Sequence, residues 1–316
     1  MSKTFLNSPL GDGGVKVKCP ATVANLVCGF DILGMALKEP YDLMTLQLID
    51  EPKVIIRNKD SFNLPTAPEK NVAGVVLLSI IEKAKIRTGF DVEMEKHIKP
   101  GSGIGSSAAS AAGAAVAANQ LLGNIFSKNE LIELAMNGEK LASGEKHADN
   151  IAPCIIGGVS LIRSMYPLDI VSIPSPSLFV TIIHPQIEVR TVYARQILPE
   201  QVLLKQAIRQ WGNVAGLVAG FFKNDTGLIS RSLEDVIVEP VRSRLIPGFD
   251  EIKKQSKEAG ALGGGISGSG PSQFMLSTTI ETATAVEQAM KVVYDKIGIE
   301  YYTYVTTINE KGVEII

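Results

Sequence analysis

An α+β protein of two domains is the fold class that this sequence predicts, and three observations predict it. Strand-like alternation and helical spacing succeed one another along the whole chain without a regular repeat. The 316 residues, 45% hydrophobic and 20% charged, suffice for two cores. Near the middle, in "DIVSIPSPSLFV" (169–180), two prolines fall between β-rich runs, which divides the chain into 1–170 and 171–316.

After a loose arm over 1–14, "VKVKC" (15–19) alternates as a strand, and "DLMTLQLI" (42–49) and "KVIIR" (53–57) continue the β pattern. "NVAGVVLLSIIEKAKIRTG" (71–89) has helical spacing with Gly89 as its stop, and "FDVEMEKHI" (90–98) alternates again. Ser127 is placed to cap a helix over "KNELIELAMNGEKLAS", and the short "HADNIAPCIIGG" leads to the strand "VSLIR" (159–163). The second half reads as the strand "FVTIIHP" (179–185), a long helix over 199–222, a helix over 248–260 and the strand "PSQFMLS" (271–277). A helix over 281–297 and the strand "EYYTYVTTI" (300–308) complete it.

Composition excludes several classes. A formal net charge of −2, with no basic run interleaved with aromatics, gives no attraction for nucleic acid. Cys19, Cys28 and Cys154 fit no zinc or CxxC spacing and read as reduced, buried thiols of a cytoplasmic protein. The amino terminus lacks the apolar core of a signal peptide. The uncharged stretch 100–127 is long enough to span a bilayer, but it is Ala, Gly and Ser rather than Leu, Ile and Phe, so no membrane partner is expected.

That stretch opens with "PGSGIGSS" between a predicted strand and an Ala-rich helix. Glycines there let the backbone approach an anion, and the first free N–H groups of the helix point at it, which makes a phosphate cradle. The plainer alternative is a tight turn before a helix packed through small residues. No lysine follows the glycines, so GxxxxGK[ST] is not matched. A second glycine-rich run, "GALGGGISGSGPS" (260–272), contains GxGxxG, but it follows a predicted helix and lacks an acidic residue at the ribose spacing. It reads as another close-approach loop.

Together these segments carry a resemblance. "VKVKCPATVANLVCGFDILGMAL", "PGSGIGSSAAS" and "GALGGGISGSGPS" resemble, in order, the three motifs of the GHMP small-molecule kinases, over about residues 15–275. "ATVANLVCGFDILG", "HADNIAPCIIGG", "TVYAR" and "EPVRSRLIPGF" are similar to the branch of that family that acts on L-homoserine. The resemblance implies a ribosomal S5 domain 2-like N-terminal domain with a left-handed βαβ unit and a ferredoxin-like GHMP C-terminal domain. It also implies ATP bound between them, Mg²⁺, and a homodimer.

Carried over residue by residue, the resemblance implies nucleotide contacts from Asn71, Lys96, Pro100, Gly101, Ser102, Gly103, Ile104, Gly105, Ser106 and Ser107. Ser106 and Glu139 match the metal positions, as phosphoryl transfer needs charge neutralisation; Glu139 could equally be a solvated helix residue beside Lys140. Asn25, Asp31, Asp149, Thr191, Arg195, Arg242 and Gly268 match the substrate side, with the two guanidinium groups suited to a carboxylate and Asp31 to an ammonium. Asn150 stands where relatives such as mevalonate kinase place an aspartate base. An amide cannot take a proton at neutral pH, so the resemblance implies in-line attack on the γ-phosphoryl group with the proton lost late, to a phosphate oxygen, while Asn150 orients the hydroxyl and Asp149 touches substrate or polarises the site. His147 is close by and reads as a cap or structural histidine. The activity implied is transfer of a phosphoryl group from ATP to the hydroxyl of L-homoserine. Alternatives are a kinase of the same family for another small alcohol, mevalonate-like, and a non-catalytic sensor on the same fold.

Overall fold

A computed structural model of the protein describes residues 13–189 and 191–316, so all but the last two residues of the expected arm lie outside the described residues. The first sheet begins with β1 (Val15–Ala24) antiparallel to the long β2 (Leu33–Ile49), Val17 facing Met44. β3 (Val54–Asn58), α1 (Val72–Ala84) and β4 (Gly89–Glu95) form a βαβ unit whose two strands pair in parallel. Next come α2 (Ser106–Leu121), α3 (Lys128–Ser143) and α4 (Ile151–Ile156), then β5 (Val159–Met165) and β6 (Leu168–Ile173), a hairpin joined to β2 through β5.

The chain then enters a second, four-stranded antiparallel sheet. It contains β7 (Phe179–Pro185), α5 (Thr191–Gln196), α6 (Leu204–Lys223), α7 (Thr226–Ser232), α8 (Glu239–Arg242) and α9 (Phe249–Glu258). It closes with β8 (Gly263–Ile266), β9 (Gln273–Ser277), α10 (Ile280–Ile297) and β10 (Tyr301–Thr307), in strand order β10-β7-β9-β8. Finally β11 (Glu314–Ile315) returns to pair with β1, Ile315 opposite Val17. The architecture is that of two α+β domains.

Three expectations are corrected here. A boundary at 170/171 cuts through β6, because Pro174 and Pro176 cannot donate to a ladder and end the strand later; the change of sheet falls between Ile173 and Phe179, and β11 belongs to the first sheet. The long helix of the second domain starts at Leu204, not at residue 199. The second glycine run is not loop throughout: β8 lies within it, and a Cβ at Gly264 would sit 1.9 Å from the carbonyl oxygen of Phe274 on the paired strand.

The composition of α2 follows from its position. Twelve of its sixteen residues are buried, because it is enclosed by β1, β2, α1, α3 and α4. A helix buried on all sides carries no amphipathic stripe, and here alanine lets five neighbours close in. A Cβ at Gly113 would meet Cys19 Sγ at 2.3 Å. By contrast α3 is amphipathic, and Ser127 caps it as the sequence predicts, with Glu130 completing a full capping box. Among the described residues, no helix is long and apolar enough to cross a membrane.

Candidate functional site

A cleft of about 330 Å³ runs between the two glycine-rich loops and is lined by both domains. Its floor is the turn from β4 into α2. Asp42, buried on β2, accepts from the backbone N–H of His97 (2.7 Å) and Ile98 (2.8 Å) and pairs with Lys96 Nζ. Lys96 Nζ also donates to Ser106 O (3.1 Å) and Ser110 Oγ (2.9 Å), so all three of its protons are committed to the chain. Lys96 lines the cleft, but it acts as the pin that holds the start of α2. Asn71 is similarly committed: it caps α1 through Gly74 N–H and donates to Pro65 O at 2.7 Å.

Gly101, Gly103 and Gly105 all have positive φ, of 76°, 82° and 73°. Their reasons differ. A Cβ at Gly103 would lie 2.5 Å from Gly270 O, and one at Gly105 would lie 1.9 Å from Thr22 Oγ1, whereas at Gly101 it would meet open space. Only Gly101 is therefore small for the sake of the cleft itself. Ser102 and Ile104 depart from expectation: both side chains are buried and neither lines the cleft, since they alternate with the outward glycines. Gly105 caps α2 with no side-chain hydrogen bond, so the helix presents its N-terminal N–H groups and positive dipole end to the cleft.

The serine pair needs a second correction. Ser106 Oγ donates to Ile98 O at 2.8 Å, turned back toward the β4–α2 connection, while Ser107 Oγ donates to Glu139 Oε2 at 2.9 Å. Successive helical residues point about 100° apart, so the hydroxyl beside the carboxylate is that of Ser107. Glu139 is 9% exposed, its pKa is raised by burial, and it has no cationic partner among the described residues. A buried carboxylate next to a hydroxyl, open to a cleft that ends on a helix N-terminus, fits a Mg²⁺ that draws its remaining ligands from phosphate and water. There is no group of three or more His, Cys, Asp or Glu among the described residues that could hold a metal alone.

Arg195 and Arg242 lie 164 and 211 positions after Asp31, yet the fold brings all three together. Both guanidinium groups lie over the ring of Phe30, at 5.3 and 4.9 Å. Arg195 of α5 is paired with Asp31, NH2 to Oδ1 at 2.9 Å and NH1 to Oδ2 at 3.1 Å. Arg242, 3% exposed, donates only to the carbonyls of Ala194 (2.9 Å) and Gly268 (3.2 Å) and has no carboxylate within ion-pairing distance among the described residues. Burial, then the neighbouring Arg195, pulls its pKa down to about 10. Asn25 bridges, donating to Gly268 O (2.9 Å) and accepting from Asp31 N (3.0 Å), so it shapes the pocket wall. Thr191 faces the cleft beside Ser269, hydroxyl to hydroxyl at 3.1 Å.

Asp149 and Asn150 enter the cleft at the start of α4. Asp149 is 4% exposed; burial, then Asp31 and Glu139, push its pKa up to about 7. Asn150 Oδ1 accepts from Thr22 Oγ1 at 2.7 Å. His147, whose pKa is lowered chiefly by burial, lies 3.1 Å from Arg195 NH2 through Nε2. It is one member of the Asp31–Arg195 cluster, a structural neighbour of that ion pair rather than a helix cap. Phe30 and Thr22 escape the sequence reading although both lie inside its first motif: neither carries a charge, and only their placement in the fold reveals what they touch.

The chain matches the model of the GHMP kinases N-terminal domain over residues 71–158 and that of the GHMP kinases C-terminal domain over 217–296. It therefore belongs to the GHMP kinase family. Within that family it is similar over most of its length to homoserine kinases. That of Chloroherpeton thalassium is 46% identical over 88% of this chain and 92% of its own, and that of Methanocella arvoryzae is 40% identical over 96% and 97%. The crystal structure of homoserine kinase from Cytophaga hutchinsonii superposes with a TM-score of 0.93 at 50% identity, covering 98% of this chain and all of its own. A mevalonate kinase from L. major shares the fold at 16% identity and a TM-score of 0.73, covering 98% of each chain.

Proposed function

We propose that the protein transfers the γ-phosphoryl group of ATP to the side-chain hydroxyl of L-homoserine, forming O-phospho-L-homoserine for threonine synthesis. The observation that carries this reading is the pair of guanidinium groups over Phe30 beside Asp31. A site holding both signs of charge matches a zwitterionic amino acid, and the unpaired Arg242 wants a carboxylate. The homoserine kinases that resemble this chain over almost its whole length support the same substrate.

In this reading Gly101 and the N-terminus of α2 receive the phosphates of ATP, and Lys96 keeps that end of the helix in place. Glu139 and Ser107 would hold Mg²⁺, which when bound neutralises phosphate charge. Arg242 and Arg195 fix the substrate carboxylate, Asp31 its ammonium, and Asn150, its carbonyl held by Thr22, offers its amide N–H groups to the hydroxyl. A cytoplasmic homodimer completes the proposal; the three free, buried cysteines suit a reducing compartment, and sedimentation velocity decides the dimer. The test of function is a coupled ADP-release assay with homoserine, mevalonate, galactose and shikimate. Homoserine should be turned over far faster than the others; preference for an alcohol lacking the amino-acid group overturns the reading.

A further inference from the structure

The loop that carries Phe30 and Asp31 is held in an unfavourable backbone conformation. Asn25, Leu26 and Val27 follow one another with φ of 72°, 42° and 67°, and Asp31 has φ of 61°. The left-handed region is rare outside glycine, and a β-branched residue such as Val27 stays there only where its surroundings enforce it. Part of the enforcement is local: Gly29 N–H donates to Asn25 O (2.8 Å), Asp31 N–H donates to Asn25 Oδ1 (3.0 Å), and Leu26 and Val27 are buried. The rest comes from α6. Gln210, 8% exposed, donates from Nε2 to Cys28 O at 2.7 Å and accepts at Oε1 from Val236 N–H at 3.0 Å. Beside Val236, Asp235 accepts from the N–H groups of Val238 (3.0 Å) and Glu239 (2.9 Å), which fixes the start of α8, the helix that ends in Arg242. One buried amide therefore joins the loop bearing Phe30 and Asp31 to the segment bearing Arg242.

We propose that Gln210 is a positioning residue for the amino-acid end of the substrate, resting on the reading above in which Arg242 and Arg195 meet the carboxylate and Asp31 the ammonium. Gln210 does not line the cleft. It acts through Cys28 and Val236, and the groups it joins explain why it is an amide: one is a carbonyl and the other an N–H. A lysine or arginine could only donate to them and a carboxylate only accept. Without the bond from Gln210, the buried Cys28 carbonyl lacks that donor and the left-handed turn relaxes toward ordinary φ. Phe30, the ring beneath both guanidinium groups, then shifts against Arg242, and Asp31 shifts with it. The phosphate cradle, pinned separately through Asp42 and Lys96, stays where it is. Gln210 thus bears on which substrate fits and leaves phosphoryl transfer itself alone.

Two variants test this at pH 8. Gln210→Met keeps the length of the side chain and loses both bonds; Gln210→Glu, as a carboxylate, still accepts from Val236 N–H and cannot donate to Cys28 O. Steady-state rates are measured with homoserine, with 3-aminopropan-1-ol, which lacks the carboxylate, and with 4-hydroxybutanoate, which lacks the ammonium. Calorimetry gives the ATP affinity. In both variants KM for homoserine should rise about 10–100-fold, with kcat within about threefold of wild type and ATP affinity unchanged, the pattern of binding lost at one end of a site. Preference for homoserine over either analogue should shrink by about tenfold, because each analogue makes less use of the clamped groups. A variant that melts earlier yet keeps its KM and its preference overturns the assignment, and so does one that loses kcat and ATP affinity together. If Gln210→Met fails to fold, Gln210→Glu carries the test, since it alters a single bond. Wild-type preference for either analogue would overturn the substrate reading on its own, and the variant-to-wild-type ratio of KM with the preferred substrate would still read the clamp.

Discussion

At Ser106 and Ser107 two adjacent hydroxyls meet different neighbours, and their variants should separate accordingly. Ser107→Ala and Glu139→Gln are expected to lower turnover and demand more Mg²⁺ for half-maximal rate, with melting temperature little changed. Ser106→Ala should cost about 1 kcal/mol of stability through the lost bond to Ile98 O, with a normal Mg²⁺ titration. If Ser106→Ala alone shifts the Mg²⁺ titration, the orientation described here is wrong. At the other end, Arg242→Ala and Arg195→Ala should each cost about 2–5 kcal/mol in kcat/KM for homoserine and leave ATP affinity near wild type, checked by titration calorimetry. Asp149 adds a pH dependence of stability. Its carboxyl binds protons more tightly folded, at about 7, than unfolded, near the ordinary aspartate value of 3.8. The charge therefore weighs against folding increasingly as pH rises from about 4 to 7 and constantly above. Asp149→Asn should raise stability by nothing below pH 4 and, at about 1.4 kcal/mol per pH unit between the two values, by a few kcal/mol above pH 7. Urea melts at pH 4 and pH 8 test this; equal gains at both would contradict it.

The loop that opens α2 shows how far an element could be read from sequence. Its place between strand and helix, its glycines and its free helix end were legible, because turn chemistry and capping are local. What was not legible is why each glycine is there, since Gly103 and Gly105 are small for Gly270 and Thr22, remote in the chain. Gly101→Ala should thus stay folded, lose about 1–2 kcal/mol from its left-handed backbone, and weaken nucleotide binding. Gly105→Ala meets the same strain and a collision with Thr22, so its melting temperature should fall much further and Asn150 should lose its partner. Equal melting temperatures for the two variants would refute the distinction. The same locality explains other outcomes: the Ser127 cap of α3 was visible, whereas β8 hid inside a glycine run that resembles a loop until Phe274 is set beside it. The Arg195–Asp31 pairing spans 164 positions and no spacing rule reaches it; the family resemblance assigned both residues to substrate without pairing them.

At the scale of the molecule, the two domains are joined by backbone as much as by side chains. Ser272 donates to Ser102 O through both N–H (3.2 Å) and Oγ (2.6 Å), and Ser267 Oγ donates to Gly103 O at 2.8 Å, so the second glycine run is tied directly to the cradle. Beyond that contact the chain re-enters the first sheet, where Asn309 N–H donates to Ala36 O, Ile308 bridges Leu37 and β11 lies on β1. The second domain is in effect an excursion that leaves the first sheet after Ile173 and comes home before Ile308. Its crossing at 174–178 is then dispensable as a covalent bond. A single protease cut there should yield two fragments on a denaturing gel that still migrate as one particle on a sizing column and still release ADP. Fragments that part without denaturant would show that the returning tail does not hold. Because the first and last described strands already lie side by side, a linker joining them and a cut elsewhere should likewise leave the fold standing.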